Sequence, residues 1–269
     1  SGRPHDRRAS LLHHAQDRYV VVDLSCLPLF GQAAPQGAAR RGGVVMADRA
    51  HMPETTLTNA ICYEELLDGQ SDSFDWPVFD ENTASSLCYT SGTTGHPKGV
   101  LYSHRATLLH SYAIAMPAML CLSDAETVLP VVPMFHVNAW GIPYAATMTG
   151  AKQVMPGPRL DGESLWEIMD AEGVTFSAGV PTIWHGLLGY MRQNGKRLDA
   201  MRRMIIGGSA APRSMIESFH DYGIEARHGW GMTEMTPVGA VNTLKPHMRD
   251  WPEDDRMDVL ARQGRPPFG

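Results

Sequence analysis

The sequence predicts an α/β fold in which a mostly parallel β-sheet is flanked by helices on both faces. Short runs rich in β-branched residues alternate with segments whose apolar residues recur at helical spacing. This alternation is typical of parallel sheets, because a crossover helix joins each parallel strand to the next. Six runs are predicted as strands, at residues 86–90, 127–132, 152–155, 174–178, 203–206 and 224–228.

Two of the intervening segments carry apolar residues on one helical face. These residues are Leu108, Leu109, Tyr112, Ala113 and Met116 in the first segment and Ile183, Trp184, Leu187, Leu188 and Met191 in the second. Asp161 is predicted to cap a further helix, and Pro181 and Pro212 are predicted in first helical turns, which tolerate a missing N–H. Ligands of such folds bind beyond the carboxyl ends of the strands.

The composition excludes several classes of protein. A chain of 269 residues with 43% hydrophobic and 19% charged residues can bury a large core, which argues against disorder. Its formal net charge of -6, without a long basic run, argues against a nucleic-acid partner. The four cysteines lie far apart without C-x-x-C spacing, which favours a reducing, cytoplasmic compartment over a zinc site or a disulfide scaffold.

Residues 128–151 contain no Asp, Glu, Lys or Arg and could suggest a membrane span. However, Pro130, Pro133, His136, Asn138 and Pro143 interrupt the stretch. Such residues predict a buried strand, a loop and a helix rather than one unbroken apolar helix.

Other parts of the chain carry weaker signals. Residues 1–12 show no interpretable pattern and are expected to be disordered, whereas residues 13–269 are expected to fold. Residues 31–43 and 71–83 are predicted as surface loops, because they are polar or rich in Gly and Pro. An acidic cluster within residues 250–258 is interpreted as a solvated face.

The sharpest chemical signal follows the first predicted strand. It reads Tyr89-Thr90-Ser91-Gly92-Thr93-Thr94-Gly95-His96-Pro97-Lys98-Gly99. Glycines let backbone N–H groups approach a polyanion, hydroxyls add donors, and Lys98 supplies a positive charge for phosphate oxygens. Gly99 stands where the P-loop requires Ser or Thr, so the run is a different kind of phosphate-binding loop. A plain glycine-rich turn is the weaker alternative.

This run resembles the signature loop of the adenylate-forming superfamily, which includes acyl-CoA synthetases, luciferases and the adenylation domains of peptide synthetases. Three more segments are similar to family motifs and follow in the expected order. Residues 135–140 resemble the acyl-site motif of medium- and long-chain fatty acyl-CoA synthetases. Residues 207–212 resemble the family's adenine-binding turn, and residues 229–234 resemble the segment that binds adenine, α-phosphate and magnesium. The resemblance therefore implies that residues 13–269 are a partial AMP-binding domain from the large N-terminal domain of such a synthetase.

The resemblance also implies the site residues. Catalytic roles would belong to Lys98, His136, Thr233 and Glu234, with Glu234 also binding Mg²⁺ as a hard carboxylate ligand. The residues that would bind ATP or AMP are Thr90, Ser91, Gly92, Thr93, Thr94, Gly95, Lys98, Gly208, Ser209, Ala210, Ala211, Pro212, Gly229, Trp230, Gly231, Met232 and Thr233. The acyl substrate would contact His136, Val137, Trp140 and Gly207, and Trp140 would gate the acyl tunnel.

Without the motifs, two of these residues would be interpreted differently. Trp230 would be taken as a core or interface aromatic, and His136 as a hydrogen-bonded interior histidine. Only their places in the matched segments favour roles beside adenine and beside the reacting carboxylate.

The implied reaction converts a fatty acid, ATP and coenzyme A into acyl-CoA through an acyl-adenylate. The carboxylate needs activation because it lacks a good leaving group, and the phosphate-binding groups would stabilise charge in the transition state. Similar synthetases are often dimers, which suggests a homodimer.

The sequence ends before the ribose-binding Asp, the hinge and the small C-terminal domain that the resemblance leads us to expect. Losing one charge-stabilising group typically costs a factor of about 10² to 10³ in turnover, so reduced ligase activity is expected. Two alternatives stay open. One is a remnant that binds nucleotide or acyl group without turnover; the other is an acyl-ester hydrolase using Ser91 or Ser209 near His136, although neither G-x-S-x-G nor S-x-x-K occurs.

Overall fold

The structure, a computed structural model, describes residues 11, 14–28, 42–55, 57, 59–90 and 97–267. The chain divides into two compact units, residues 1–78 and 79–269. The disorder expected for residues 1–12 falls almost entirely outside the described part of the chain.

The first unit is built on a three-stranded parallel sheet. Its elements are β1 (Tyr19–Asp23), β2 (Gly42–Met46), β3 (Ala60–Cys62) and the short helix α1 (Tyr63–Leu67). The strands lie in the order β1-β2-β3, and Val20, Val22 and Val45 are buried between the sheet and its flanking segments. This unit therefore has its own small core.

The predicted loop at residues 31–43 is wrong at its C-terminal end, where Gly42 and Gly43 begin β2. A side chain at Gly42 would lie 2.8 Å from the carbonyl oxygen of Asn59, so close packing of the strand explains this glycine. Residues 31–41 are not among the described residues. The second predicted loop, residues 71–83, is confirmed, since no helix or strand occurs there.

The second unit contains the larger sheet and most of the helices. Its strands are β4 (Ala84–Tyr89), β5 (Gly99–Ser103), β6 (Thr127–Pro130), β7 (Lys152–Gln153), β8 (Phe176–Gly179), β9 (Arg203–Ile206), β10 (Glu225–Gly231) and β11 (Val238–Val241). Its helices are α2 (His104–Ala115), α3 (Val137–Trp140), α4 (Ile142–Thr149), α5 (Gly162–Ala171), α6 (Pro181–Asn194), α7 (Arg213–Asp221) and α8 (Glu253–Leu260). All six predicted strands are present, with ends that differ by at most three residues.

Six strands of this unit form one sheet in the order β11-β10-β9-β8-β6-β7. All neighbouring strands are parallel except the antiparallel pair β10 and β11. Alternate residues enter different cores: Leu129 and Met204 pack with α5, α6 and α7, whereas Val128 and Ile205 pack with α2 and α4. The predicted mostly parallel sheet with helices on both faces is therefore confirmed.

A separate antiparallel hairpin is formed by β4 and β5. One of its faces buries Cys88 and Tyr102 against Val137 and Trp140. Because the signature loop joins these two strands, the hairpin brings both ends of that loop close to the predicted acyl-site motif.

Helix starts follow the capping predictions in two cases out of three. The backbone N–H of Ser164 donates to Asp161 Oδ1 at 3.0 Å, and Pro181 is the first residue of α6. The prediction for Pro212 is wrong, because this residue is the N-cap of α7, which begins at Arg213. Its φ of -61° suits a helix but its ψ of 136° is extended, so the helix starts one residue later.

The two predicted amphipathic helices bury different kinds of surface. In α6, Trp184, Leu187, Leu188 and Met191 are buried as expected. In α2, the buried residues are His110, Ser111 and Ile114, and the predicted apolar face at Leu108, Leu109 and Tyr112 is at least 50% exposed. The apolar spacing identifies a helical face but does not determine which face the fold covers.

The uncharged stretch at residues 128–151 forms β6, a loop, α3 and α4. The predicted strand, loop and helix are present, and α3 is an additional short element. Among the residues that the structure describes, no helix combines the length and apolar composition needed to cross a bilayer.

Candidate functional site

A cavity of about 230 Å³ lies at the carboxyl ends of β8, β9 and β10. The predicted site residues that line it are His136, Val137, Trp140, Gly207, Gly208, Gly229, Trp230, Gly231, Met232 and Thr233. These residues come from three separate motifs, at residues 135–140, 207–212 and 229–234. The fold therefore brings the predicted acyl and adenine segments to one place, where parallel sheets place their ligands.

The turn after β9 lies directly against Trp140. A side chain at Gly207 would approach the indole Cη2 of Trp140 to 3.0 Å and the carbonyl oxygen of Gly229 to 3.2 Å. Gly208 has a φ of +77°, a conformation that disfavours other residues, and it packs closely on Val180. Gly207 is therefore needed for Trp140 to cover this turn, whereas Gly208 is needed for the left-handed backbone conformation.

The acyl-site motif adopts an unusual left-handed turn. Four consecutive residues without glycine, Val137 to Trp140, have φ angles between 50° and 57°. Such a conformation costs about 1–2 kcal/mol per residue and is found where function requires it. The side chain of Asn138 supports the turn, because its Nδ2 donates to Ser86 Oγ at 3.0 Å and its Oδ1 accepts from Cys88 Sγ at 3.5 Å.

His110 supports the opposite side of the same turn. A side chain added at Gly141 would lie only 2.6 Å from Nδ1 of His110, so the ring packs directly on this glycine. Nε2 of His110 accepts a hydrogen bond from the backbone N–H of Val238 at 3.3 Å. Burial lowers the pKa of His110 to about 4, so the imidazole is neutral near pH 7. The neutral ring thus joins the acyl-site turn to β11.

The segment after β10 is fixed by backbone contacts. The N–H of Met232 donates to the carbonyl oxygen of Pro237 at 2.9 Å, and a side chain at Gly231 would lie 2.2 Å from that oxygen. Thr233 is buried and begins a short 3₁₀ turn, and the next side chain, Glu234, is exposed.

Tyr102 connects this segment to the hairpin that carries the signature loop. Its hydroxyl donates to the carbonyl oxygen of Thr233. Burial raises the pKa of Tyr102, and the nearby Cys88 and Glu234 raise it further, so the hydroxyl keeps its proton for this bond. Tyr102 is four residues beyond Lys98 in the sequence, so this contact anchors the strand after the loop to the Thr233–Glu234 segment.

The signature loop itself is described only at its ends. Thr90 and Lys98 form two hydrogen bonds, from the Thr90 N–H to the Lys98 carbonyl at 2.9 Å and from the Lys98 N–H to Thr90 Oγ1 at 3.0 Å. The Lys98 side chain is exposed. The predictions for Ser91, Gly92, Thr93, Thr94 and Gly95 fall on residues that the structure leaves undescribed.

Several other predicted residues do not line the cavity: Thr90, Lys98, Ser209, Ala210, Ala211, Pro212 and Glu234. Ser209, Ala210 and Pro212 are exposed. Ala211 is buried, and its N–H donates to Nε2 of His228 at 3.3 Å, while Nδ1 of His228 bonds to the carbonyl of Ala261 at 2.9 Å. Ala211 is thus held by the protein interior, away from the cavity.

Sequence reasoning missed the apolar walls of the cavity. These are Ile114, Leu120, Ile142, Ala178, Ile205, Pro237, Val238 and Val241. Ala178 and Ile205 could have been found, because they stand at or near the carboxyl ends of predicted strands. Ile114 could not, since it lies on a face of α2 that the apolar spacing did not single out.

The candidate magnesium ligand has a simple environment. Within the described ranges, no group of three or more His, Cys, Asp and Glu side chains is arranged to hold a metal ion. Glu234 presents an exposed carboxylate beside a turn anchored by Tyr102. A single carboxylate fits Mg²⁺, which commonly binds through one or two carboxylates together with substrate phosphates.

The fold, the signature sequence and the cavity formed by three motifs are those of an adenylate-forming enzyme. The sequence pattern of the family described as AMP-binding enzyme matches residues 2–269, and the chain belongs to this family.

Two relatives are similar over nearly the whole chain. A medium-chain-fatty-acid–CoA ligase of Ectopseudomonas oleovorans is 48% identical over 260 residues, which cover 96% of this chain and 48% of that protein. A 3-methylmercaptopropionyl-CoA ligase of Ruegeria lacuscaerulensis has the same identity and the same coverage. The chain spans about half the length of these relatives.

Solved structures share the fold. The crystal structure of a long-chain-fatty-acid-CoA ligase from Archaeoglobus fulgidus matches with a TM-score of 0.77 at 22% identity, covering 98% of this chain and 50% of that one.

Proposed function

We propose that this chain is part of an AMP-forming acyl-CoA ligase that activates a medium- or long-chain fatty acid. The observation that carries the proposal is the single cavity formed by the acyl-site turn, the Gly207–Gly208 turn and the segment from Gly229 to Thr233. These motifs are far apart in sequence, and an acid and a nucleotide must meet for adenylation. Similarity to a medium-chain-fatty-acid–CoA ligase over nearly the whole chain supports the same activity.

In this proposal, an oxygen of the fatty-acid carboxylate attacks the α-phosphorus of ATP, and the bond to pyrophosphate breaks. The thiol of coenzyme A then attacks the acyl carbonyl and releases AMP. Lys98 and the hydroxyls of Thr90, Ser91, Thr93 and Thr94 would bind the phosphates, where charge accumulates. Mg²⁺, held by Glu234 together with the phosphates, would neutralise part of that charge.

The remaining roles follow the walls of the cavity. Trp230 would contact adenine, with Gly208, Ser209, Ala210, Ala211 and Pro212 forming the turn beside the base. Thr233 would contact the α-phosphate. His136 would lie beside the carboxylate, and Trp140 would close the acyl tunnel.

The setting of the enzyme is also part of the proposal. Cys26, Cys62, Cys88 and Cys121 are free thiols, which fits the reducing cytoplasm. Residues 13–269 would be a partial AMP-binding domain, and a homodimer is the expected assembly.

Calorimetric titration with ATP and Mg²⁺, followed by fatty-acid-dependent ATP–pyrophosphate exchange, tests the proposal. Octanoate, palmitate and 3-methylmercaptopropionate should be compared as acids. We expect ATP binding that Lys98→Ala weakens at least tenfold, and exchange that depends on octanoate or palmitate. Lys245→Ala, which changes a lysine outside the proposed site, is the matched control.

The other possible results of these assays would each favour a different conclusion. Absence of ATP binding would refute the nucleotide site. Binding without exchange would favour a binding remnant. Release of p-nitrophenol from acyl esters that is lost in Ser209→Ala would favour a hydrolase.

A further inference from the structure

The antiparallel pair β10 and β11 contains an irregularity beside the cavity. Trp230 pairs with Ala240 and Gly231 pairs with Val238, so Gly239 is an extra residue in β11. Bulges of this kind commonly re-aim a side chain near an active site. Here the side chain opposite the bulge is Trp230, which lines the cavity.

The indole of Trp230 lies directly on the backbone of Gly239. A Cβ atom at Gly239 would lie 2.4 Å from Cζ3 and 2.5 Å from Cε3 of the indole, and 3.0 Å from Cε of Met235. Carbon atoms in favourable contact are about 3.5–4.0 Å apart, so any side chain at this position must displace the rigid ring by about 1 Å.

Gly239 and the neighbouring Gly231 must both be glycine, but different atoms exclude a side chain at each position. At Gly231 the obstacle is backbone, the carbonyl of Pro237 at 2.2 Å. At Gly239 the three nearest atoms all belong to side chains, two of them to Trp230, and its φ is outside the left-handed range. Contact with the indole is therefore the feature of the structure that excludes a side chain at Gly239.

We propose that Gly239 is a positioning residue for nucleotide binding, which seats the Trp230 indole and so sets the space available to the base. This inference rests on the proposed function, in which Trp230 contacts adenine. Glycine at the bulge and tryptophan opposite it form a pair matched in size. A side chain at residue 239 moves the ring off the strand and changes the base site without touching the phosphate-binding groups.

The test is a double-mutant cycle on the whole chain. Gly239→Ala should weaken ATP binding at least tenfold by calorimetry, while binding of Mg²⁺-tripolyphosphate, which lacks a base, changes less than twofold. In the Trp230→Phe background the ring lacks the outer indole atoms, so Gly239→Ala should weaken ATP binding less than twofold. Gly189→Ala is the matched control, because no atom lies within 4 Å of a Cβ there.

Unchanged ATP affinity in Gly239→Ala would overturn this inference alone, as would an equal loss in both backgrounds or an equal loss for tripolyphosphate. An unmodified chain that binds no ATP would overturn the proposed function, and this inference with it. If Gly239→Ala fails to fold by circular dichroism, the variant that also carries Trp230→Phe must fold, and its failure would contradict the steric argument.

Discussion

At the scale of single residues, the site depends on side chains that the motifs do not contain. Tyr102 holds the Thr233 carbonyl, and His110 joins Val238 to the acyl-site turn. Neither residue needs to touch a ligand to matter, because each fixes the position of backbone that lines the cavity. Buried polar groups with satisfied partners make such positions well defined.

His110 predicts a specific acid sensitivity. Its pKa in the folded chain is about 4, against an ordinary value of 6.5, so the unfolded chain binds the proton more readily. The free energy of unfolding should therefore fall as pH decreases from about 6.5 to about 4, by about 3 kcal/mol in total. His110→Gln should remove this part of the pH dependence in urea unfolding between pH 7 and pH 4.

The exposed His185 provides the control for this measurement. His185→Gln should keep the pH dependence of the unmodified chain. An unaltered dependence in His110→Gln would mean that burial of this imidazole does not govern acid stability.

At the scale of elements, α3 is the least expected feature of the chain. This left-handed turn ends at Gly141, but none of the four preceding residues, which all have positive φ, is a glycine. Its conformation persists because Asn138 is anchored to the hairpin β4–β5 and Trp140 is packed against the turn after β9. Two parts of the chain that are distant in sequence thus determine one turn.

Two substitutions at Asn138 separate the anchoring bonds from the backbone conformation. Asn138→Ala loses both bonds and places alanine at a φ of 53°, so the free energy of unfolding should fall by about 2 kcal/mol. Asn138→Gly loses the same bonds but tolerates positive φ, so its loss should be smaller, about 1 kcal/mol. Urea unfolding of both variants measures the difference, and a larger loss in Asn138→Gly would contradict this account.

Another element-scale feature modifies the interpretation of the acidic cluster. Asp254 and Asp258 of α8 are mostly exposed, as expected for a solvated face, but both form ion pairs with Arg213 of α7. Glu217 also pairs with the same guanidinium. The cluster therefore helps to join α8 to α7.

At the scale of the whole unit, the two edges of the parallel sheet have different tasks. The carboxyl edge carries the cavity, whereas the amino edge carries a buried ion pair between Glu126 and Arg203. The hydroxyl of Thr175 also donates to Glu126, and Arg203 donates to the carbonyl of Cys121 at 3.0 Å. Three strand starts are thereby connected at the edge opposite the site.

Breaking this ion pair should affect stability without changing the site. Glu126→Gln leaves the largely buried Arg203 charge unpaired, which should lower the free energy of unfolding by about 3–5 kcal/mol. Glu172→Gln, which breaks an exposed pair with Lys152, should change it by less than about 1 kcal/mol. Urea unfolding compares the two variants, and equal losses would contradict the argument from burial.

The sequence predicts the sheet well because its signals are local. Strands such as β9 are short β-branched runs, and the caps at Asp161 and Pro181 act on their own helices. The buried face of α2 was not predictable, since it depends on which surfaces the rest of the fold supplies. For the same reason the motifs indicated Trp230 but not Gly239, whose role exists only across the strand pair.

The position of Trp140 has a thermodynamic consequence. Its indole covers Gly207 and Gly208, so in the proposed function an acyl chain that shifts the indole would also change the surface offered to the nucleotide. Binding of the acid and of the nucleotide would then be energetically linked, and linkage is reciprocal. In the proposed function, the factor by which a given acid changes the affinity for ATP would equal the factor by which ATP changes the affinity for that acid.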